Sequence, residues 1–254
     1  MFDKFTSLEH LYNSFLISYK GRNKTKEVIS YKQNLEENLL NLRKNLINFT
    51  YKHRKYRTFI VEDSKKRVIN APSFEDHILH HAVFSFLEEI FDKKFIENSF
   101  ANRKGKGSHK AVLKLQKESK KYHCFLKMDI TKYFQSVDQT VLYSQIERHI
   151  KDEKFLYYIK MIVNSCLETN IINPLTNNPT GMTIGNVTSQ LFANIYLHDL
   201  DFYVETQIKP MMRKQGKNIY YVRYVDDFVF LAQEKEDLKI IKNIILEFLK
   251  NNLK

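Results

Sequence analysis

The segment Tyr221-Val222-Arg223-Tyr224-Val225-Asp226-Asp227-Phe228-Val229-Phe230-Leu231 constrains the fold more than any other part of the chain. Two adjacent aspartates separate two runs rich in β-branched and aromatic residues. That pattern specifies a tight antiparallel hairpin whose two-residue connection is the carboxylate pair. Asp tolerates turn conformations, so an ordinary surface turn also accounts for the pair taken alone. The flanks are core-like on both sides, however, and like charges at the tip of a buried hairpin are costly unless a cation offsets them. Hard oxygen donors without nearby His or Cys suit Mg²⁺, with Mn²⁺ as the alternative.

A metal site needs a carboxylate from a second element. The run Tyr122-His123-Cys124-Phe125-Leu126-Lys127-Met128-Asp129-Ile130 reads as a short strand ending in Asp129. Asp129 lies far upstream of the pair, so only the tertiary fold can bring the three together. Three carboxylates on adjacent strands suit two divalent ions that clamp the attacking and leaving oxygens of a phosphoryl transfer.

These residues give the chain its resemblance to reverse transcriptases. Tyr224-Val225-Asp226-Asp227 matches one catalytic box of that family, and Asp129-Ile130-Thr131-Lys132-Tyr133-Phe134 matches the other. Gly181-Met182-Thr183-Ile184-Gly185-Asn186-Val187-Thr188-Ser189-Gln190 lies between them, in the family's order. Upstream, Lys65-Lys66-Arg67-Val68-Ile69-Asn70-Ala71-Pro72 resembles the fingers hairpin, and Asn102-Arg103-Lys104-Gly105-Lys106-Gly107-Ser108-His109 the basic loop after it. The middle box carries Ile184 and Gln190 where most bacterial members have Gln and Pro. That variant is similar to the enzymes of diversity-generating retroelements, and is shared by some defence-associated reverse transcriptases.

The resemblance implies an α+β right-hand polymerase, with an antiparallel palm sheet and helices. Residues 1–121 would form the fingers and 122–254 the palm, with a fingers-like helical insertion at about 139–180. It implies Asp129, Asp226 and Asp227 as catalytic carboxylates and metal ligands, joined by the Ile130 carbonyl. Lys65, Arg67, Tyr133, Phe134, Ile184 and Gly185 would face the nucleotide: Arg67 by its planar fork of donors, Phe134 by excluding a 2′-hydroxyl. Gly185 would let the backbone approach the base pair. Arg103, Lys104, Lys106, Ser189 and Gln190 would contact the template. The bland alternatives are a solvated charge run for Lys65 and Arg67, and plain core for Phe134.

The implied activity is RNA-directed DNA synthesis, error-prone within a diversity-generating retroelement. Its partners would be an RNA template, primer and deoxynucleotides, with a small basic accessory helical protein. The rival readings are a retron-like or defence-associated enzyme, or an inactive nucleic-acid-binding remnant. Family members continue into a last palm strand, primer grip and thumb, whereas this sequence stops at Asn251-Asn252-Leu253-Lys254; a thumb is expected to be missing.

Composition agrees with a nucleic-acid partner. There are 41 Lys and Arg against 29 Asp and Glu, a net charge of +12, although a merely basic soluble protein would look the same. With 6 Gly and 4 Pro in 254 residues the chain is not linker-like. Its length suffices to bury roughly 70–75% of the unfolded surface. Two cysteines are too few for a disulfide framework and fit a reducing cytoplasm. No apolar run approaches the about 20 residues of a membrane span, so no membrane partner is expected.

Periodicity predicts helices over 5–20, 31–48, 108–121, 139–149, 153–168, 187–206 and 236–252, with a loop around 173–181. Ser73 is expected to cap a helix running through Leu79, Val83, Phe86 and Ile90. On that helix His77, His80 and His81 have ligand-like spacing but no Cys or acidic companion, and read as polar-face or template-contacting residues.

Overall fold

The structure is a computed structural model that describes residues 1–62, 66–165, 172 and 177–253, with the backbone alone at Arg67. Lys65 and residues 173–176 of the loop expected around 173–181 therefore lie outside the described residues. Along the chain, α1 (Phe2–Phe5), α2 (Leu8–Tyr19), α3 (Lys26–Gln33) and α4 (Leu35–Ile47) precede the hairpin of β1 (Arg57–Glu62) and β2 (Lys66–Ala71). Then come α5 (Phe74–Phe91), α6 (Ser108–Ser119), β3 (Cys124–Met128), α7 (Tyr133–Ser136), α8 (Gln139–Glu147), α9 (Glu153–Asn164) and α10 (Val187–Tyr196). Helix α11 (His198–Tyr203) continues through a π-helical turn, Val204–Ile208, into α12 (Lys209–Lys214). The chain then forms β4 (Ile219–Tyr224), β5 (Asp227–Ala232) and α13 (Lys235–Phe248), which ends in a second π turn, Leu249–Leu253. The fold class is α+β, as expected.

Contacts divide the chain into two compact units. One comprises Met1–Ile90, Ile146–Thr169 and Met182–Leu191; the other comprises Phe91–Gln145, Asn170–Gly181 and Phe192–Lys254.

The first unit is helical around an aromatic core. Phe5 sits edge-on to Phe155 at 5.0 Å, and Phe2 stacks on Phe49 at 5.6 Å. The Tyr158 hydroxyl donates to the Leu46 carbonyl at 2.6 Å, tying α9 to α4. Two long helices expected from periodicity are interrupted. The Ser7 hydroxyl accepts the His10 N–H at 3.2 Å and so starts α2 afresh after α1. Asn34 leaves the helical conformation between α3 and α4, with φ −118° and ψ 41°.

The predicted cap of α5 is present. The Asp76 N–H donates to Ser73 Oγ at 3.2 Å, and the Ser73 hydroxyl donates back to Asp76 Oδ2 at 2.5 Å. The histidines of α5 differ from expectation, for they are not a polar face. His80 is 1% exposed and His77 7%, while His81 is half-buried. His80 Nδ1 lies 2.6 Å from Thr188 Oγ1, and its Nε2 3.0 Å from His53 Nε2. A neutral imidazole fills such a place where a charged one would not. Burial, reinforced by Arg22, pushes His77 down to about 3 and His81 to about 4.

Because the unfolded chain takes up protons near pH 6.5, these groups favour the native state above that pH. Their contribution should be lost as pH falls toward the folded values. The melting temperature is expected to drop by several degrees between about pH 7 and 5, and His77→Gln/His81→Gln should flatten that slope. A wild-type melting temperature constant across the range would refute this account.

The second unit is built on a three-stranded antiparallel sheet of order β3-β5-β4. Inward rings of β4 and β5 form its core, with Tyr221 stacked on Phe230 at 4.7 Å. Helix α13 covers β3 and β5 and buries Leu238, Ile241 and Ile245. This sheet carries the aspartates.

Candidate active site

The predicted hairpin forms, with one difference in register. Tyr224 pairs with Asp227, so the connection is Val225-Asp226 and Asp227 is the first residue of β5. Alternation decides this: Phe228 and Phe230 must face inward with Tyr221 and Arg223, and a slip by one residue would turn them outward. Val225 takes a left-handed φ of 55°, a strained state for a β-branched residue that costs on the order of 1–3 kcal/mol. Strand β3 pairs with β5 through Met128↔Phe228. One further step of that register sets Asp129 across from Asp227. The three carboxylates thus meet at one end of the sheet.

Their electrostatics differ. Burial lifts Asp226 above the usual carboxylate range and the charges of Asp129 and Asp227 add to it, against its own backbone N–H and Arg223. Asp227 instead accepts an ion pair from Lys127 Nζ at 2.8 Å. Among the described residues no three His, Cys, Asp or Glu side chains are grouped tightly enough to hold a metal ion as they stand. The donor set still fits a hard divalent cation. It consists of carboxylates alone, one of them raised by burial and by the charges of the other two, with an ammonium already drawn to Asp227.

A buried network supports the turn, and sequence reasoning missed it. Arg223, fully buried on β4, donates to Asp201 at 2.8 and 2.5 Å, to Asn194 Oδ1 at 3.1 Å and to the Val225 carbonyl at 3.0 Å. The Tyr221 hydroxyl donates to the same Asp201 at 2.7 Å. Burial alone would depress the Arg223 guanidinium, but the charge and hydrogen bonds of Asp201 hold it above its ordinary value. Two signals could have found this network. Arg223 shares the inward face of its strand with Tyr221, and Asp201 sits on the apolar stripe of Leu197, Val204 and Ile208.

The remaining predicted residues divide. In the second unit, Tyr133 is buried with its hydroxyl donating to the Ala193 carbonyl at 2.6 Å, so it supports the core and does not face a nucleotide. Phe134 is half-buried, edge-on to Tyr133 at 5.7 Å, with part of its ring open; Ile130 is half-buried too. Arg103 has a structural task in place of the template contact: its guanidinium donates to Asp92 at 2.6 Å and to the Ile96, Ser99 and Asp92 carbonyls. Lys106 donates to the Glu97 carbonyl at 2.8 Å, while Lys104 is exposed.

In the first unit, Asn70 on β2 donates its N–H to the Ile184 carbonyl at 3.0 Å. Gly185 has φ 118°, and a Cβ there would stand 3.0 Å from Ile69 Cγ2. The approach of this turn to β2 is sufficient reason for glycine at this position. Ser189 is buried against Thr183, which removes it as a template contact, whereas Gln190 is exposed.

The family described as Reverse transcriptase (RNA-dependent DNA polymerase) matches residues 31–253. Over 278 residues the chain is 25% identical to the Group II intron-encoded protein LtrA of Lactococcus lactis subsp. cremoris, covering 86% of this chain and 46% of that protein. It is 26% identical over 188 residues to an uncharacterized 91 kDa protein in a cob intron of Schizosaccharomyces pombe, covering 72% and 23%. The chain therefore spans less than half the length of either relative. Its fold resembles apo telomerase from Candida tropicalis, truncated from the C-terminal domain, with a TM-score of 0.52 at 14% identity, over 83% of this chain and 52% of that one. That likeness concerns the fold alone. Among the described residues no helix is long and apolar enough to cross a membrane.

Proposed function

We propose, from the premise that this chain belongs to the reverse transcriptase (RNA-dependent DNA polymerase) family, that it extends a primer along an RNA template by nucleotidyl transfer. The observation that carries the reading is the meeting of Asp129, Asp226 and Asp227 at one end of the β3-β5-β4 sheet. Reverse transcriptase domains use divalent metal ions, and here Mg²⁺ would activate the primer 3′-hydroxyl and neutralise the triphosphate. Asp129 and Asp226 would hold it with the Ile130 carbonyl, and Asp227 would contribute once released from Lys127. Phe134 would exclude a ribose 2′-hydroxyl with the open part of its ring. Arg67 and Lys65 would hold triphosphate oxygens, and Lys104 and Gln190 would meet the template. Residues 1–121 would act as fingers and 122–254 as palm. The direct test is deoxynucleotide addition to a primer on RNA with and without Mg²⁺; metal-independent extension would overturn the mechanism.

The finer reading is an error-prone enzyme of the diversity-generating kind, which would work with a small basic helical accessory protein. Ile184 supports it, because an apolar side chain cannot hydrogen-bond to the nascent pair, and shape alone discriminates by only about 1–3 kcal/mol. The intron-encoded relatives favour a second reading, an intron-associated enzyme. Copying a defined RNA separates the two. Ile184→Gln is expected to lower misincorporation opposite adenine severalfold with activity retained; a wild type that copies adenine as accurately as the other bases would refute the diversity-generating reading.

A further inference from the structure

A pocket of about 500 Å³ opens in the first unit between residues 51–56 and the C-terminal half of α9. That volume accommodates a nucleotide. Among the described residues its lining includes Lys52, His53, Arg54, Lys55 and Lys160 and no carboxylate. Lys52, Arg54, Lys55 and Lys160 are all exposed. Arg54 leans toward Glu75 at 3.3 Å, but among the described residues no carboxylate comes within ion-pair distance of Lys52 or Lys55. Like charges crowded round one concavity repel one another, and an anion relieves that cost.

The walls supply what a base requires. Tyr157 is 45% exposed, yet its ring is held edge-on against Phe49 at 5.2 Å and Tyr158 at 5.1 Å. A rigid aromatic face beside several ammonium groups matches a base next to its phosphates. The floor is fixed and polar: Tyr56 Oη lies 2.7 Å from Ser165 Oγ and accepts from Asn186 Nδ2 at 3.1 Å.

We propose that this pocket binds a nucleotide of a single-stranded nucleic acid, with Lys52 and Lys55 on its phosphates and the base on Tyr157. A strand is favoured over a free nucleotide because Lys52 and Lys55 are both exposed and would meet phosphates of successive residues. The proposal concerns this pocket by itself and does not depend on polymerisation, so its failure would leave the proposed function standing.

The test uses the whole protein and a short fluorescent oligouridylate carrying one 4-thiouridine. Ultraviolet crosslinking followed by peptide mapping should place the adduct in residues 51–56 or 157–165. Lys52→Gln/Lys55→Gln should weaken binding about tenfold and reduce the slope of log affinity against log salt by about 0.7 per lysine. Tyr157→Ala should weaken it about tenfold as well, and Tyr157→Phe should restore it. Adducts only elsewhere, with affinity unchanged in both variants, would overturn the proposal. So would uridine monophosphate binding as tightly as the oligomer, which would make this a mononucleotide pocket.

Discussion

Asp226→Asn is expected to abolish Mg²⁺-dependent primer extension, with a loss on the order of 10³-fold or more, since a charged anchor disappears from a charge-stabilised transition state. The same change should leave thermal stability equal or improved. Asp226 is held above the usual carboxylate range by burial and by Asp129 and Asp227, so neutralising it removes repulsion from the native state. The combination of lost extension and an undiminished melting temperature separates a catalytic role from a structural one. Extension near the wild-type rate on an RNA template would end the assignment. A large fall in melting temperature would show that the turn needs the charge for folding.

Asp201→Asn should lower thermal stability and, by loosening the turn, extension with it. Arg223 and Asp201 are both fully buried, and removing the carboxylate charge leaves the guanidinium without a counter-ion. Breaking such a pair costs about 3–5 kcal/mol, or on the order of 10 °C in melting temperature for a unit of this size. Arg223→Met/Asp201→Leu should recover most of that loss, because apolar packing replaces the pair without leaving a buried charge. Primer extension by this double variant should remain depressed. The Val225 carbonyl would have lost its donor, and the left-handed turn that presents Asp226 would be free to relax. Full activity in the stable double variant would reduce Arg223 to a core residue; an unchanged melting temperature for Asp201→Asn would refute the account of the pair.

Much of the architecture could be read from the chain. The hairpin at 221–231, the strand ending at Asp129, the Ser73 cap and the helices α5, α6 and α8 follow from patterns a few residues long, and each formed near its expected limits; α9 begins where expected, and residues 166–168 of its expected span lie outside the described residues. The breaks at Ser7 and Asn34 were not legible, because apolar periodicity ran on across them. The histidines of α5 misled for a related reason: His77, His80 and His81 look polar in sequence, and only their neighbours Thr188, His53 and Arg22 make them buried and neutral. Gly185 was singled out for a close backbone approach, and the structure shows β2 as one group it makes room for.

The sequence by itself determined the hairpin, the identity of the three carboxylates and the family to which they belong, because these depend on side-chain type and short-range order. Tertiary structure alone decided the register that moves Asp227 out of the turn, the pairing of β3 with β5 that brings Asp129 beside it, and the burial of Arg223 on Asp201. It also decided that Arg103, Tyr133 and Ser189 serve the core. The physical reason is the same throughout. A side chain's charge state and task depend on which distant groups share its environment, and that is fixed only when the strands pair and the core closes.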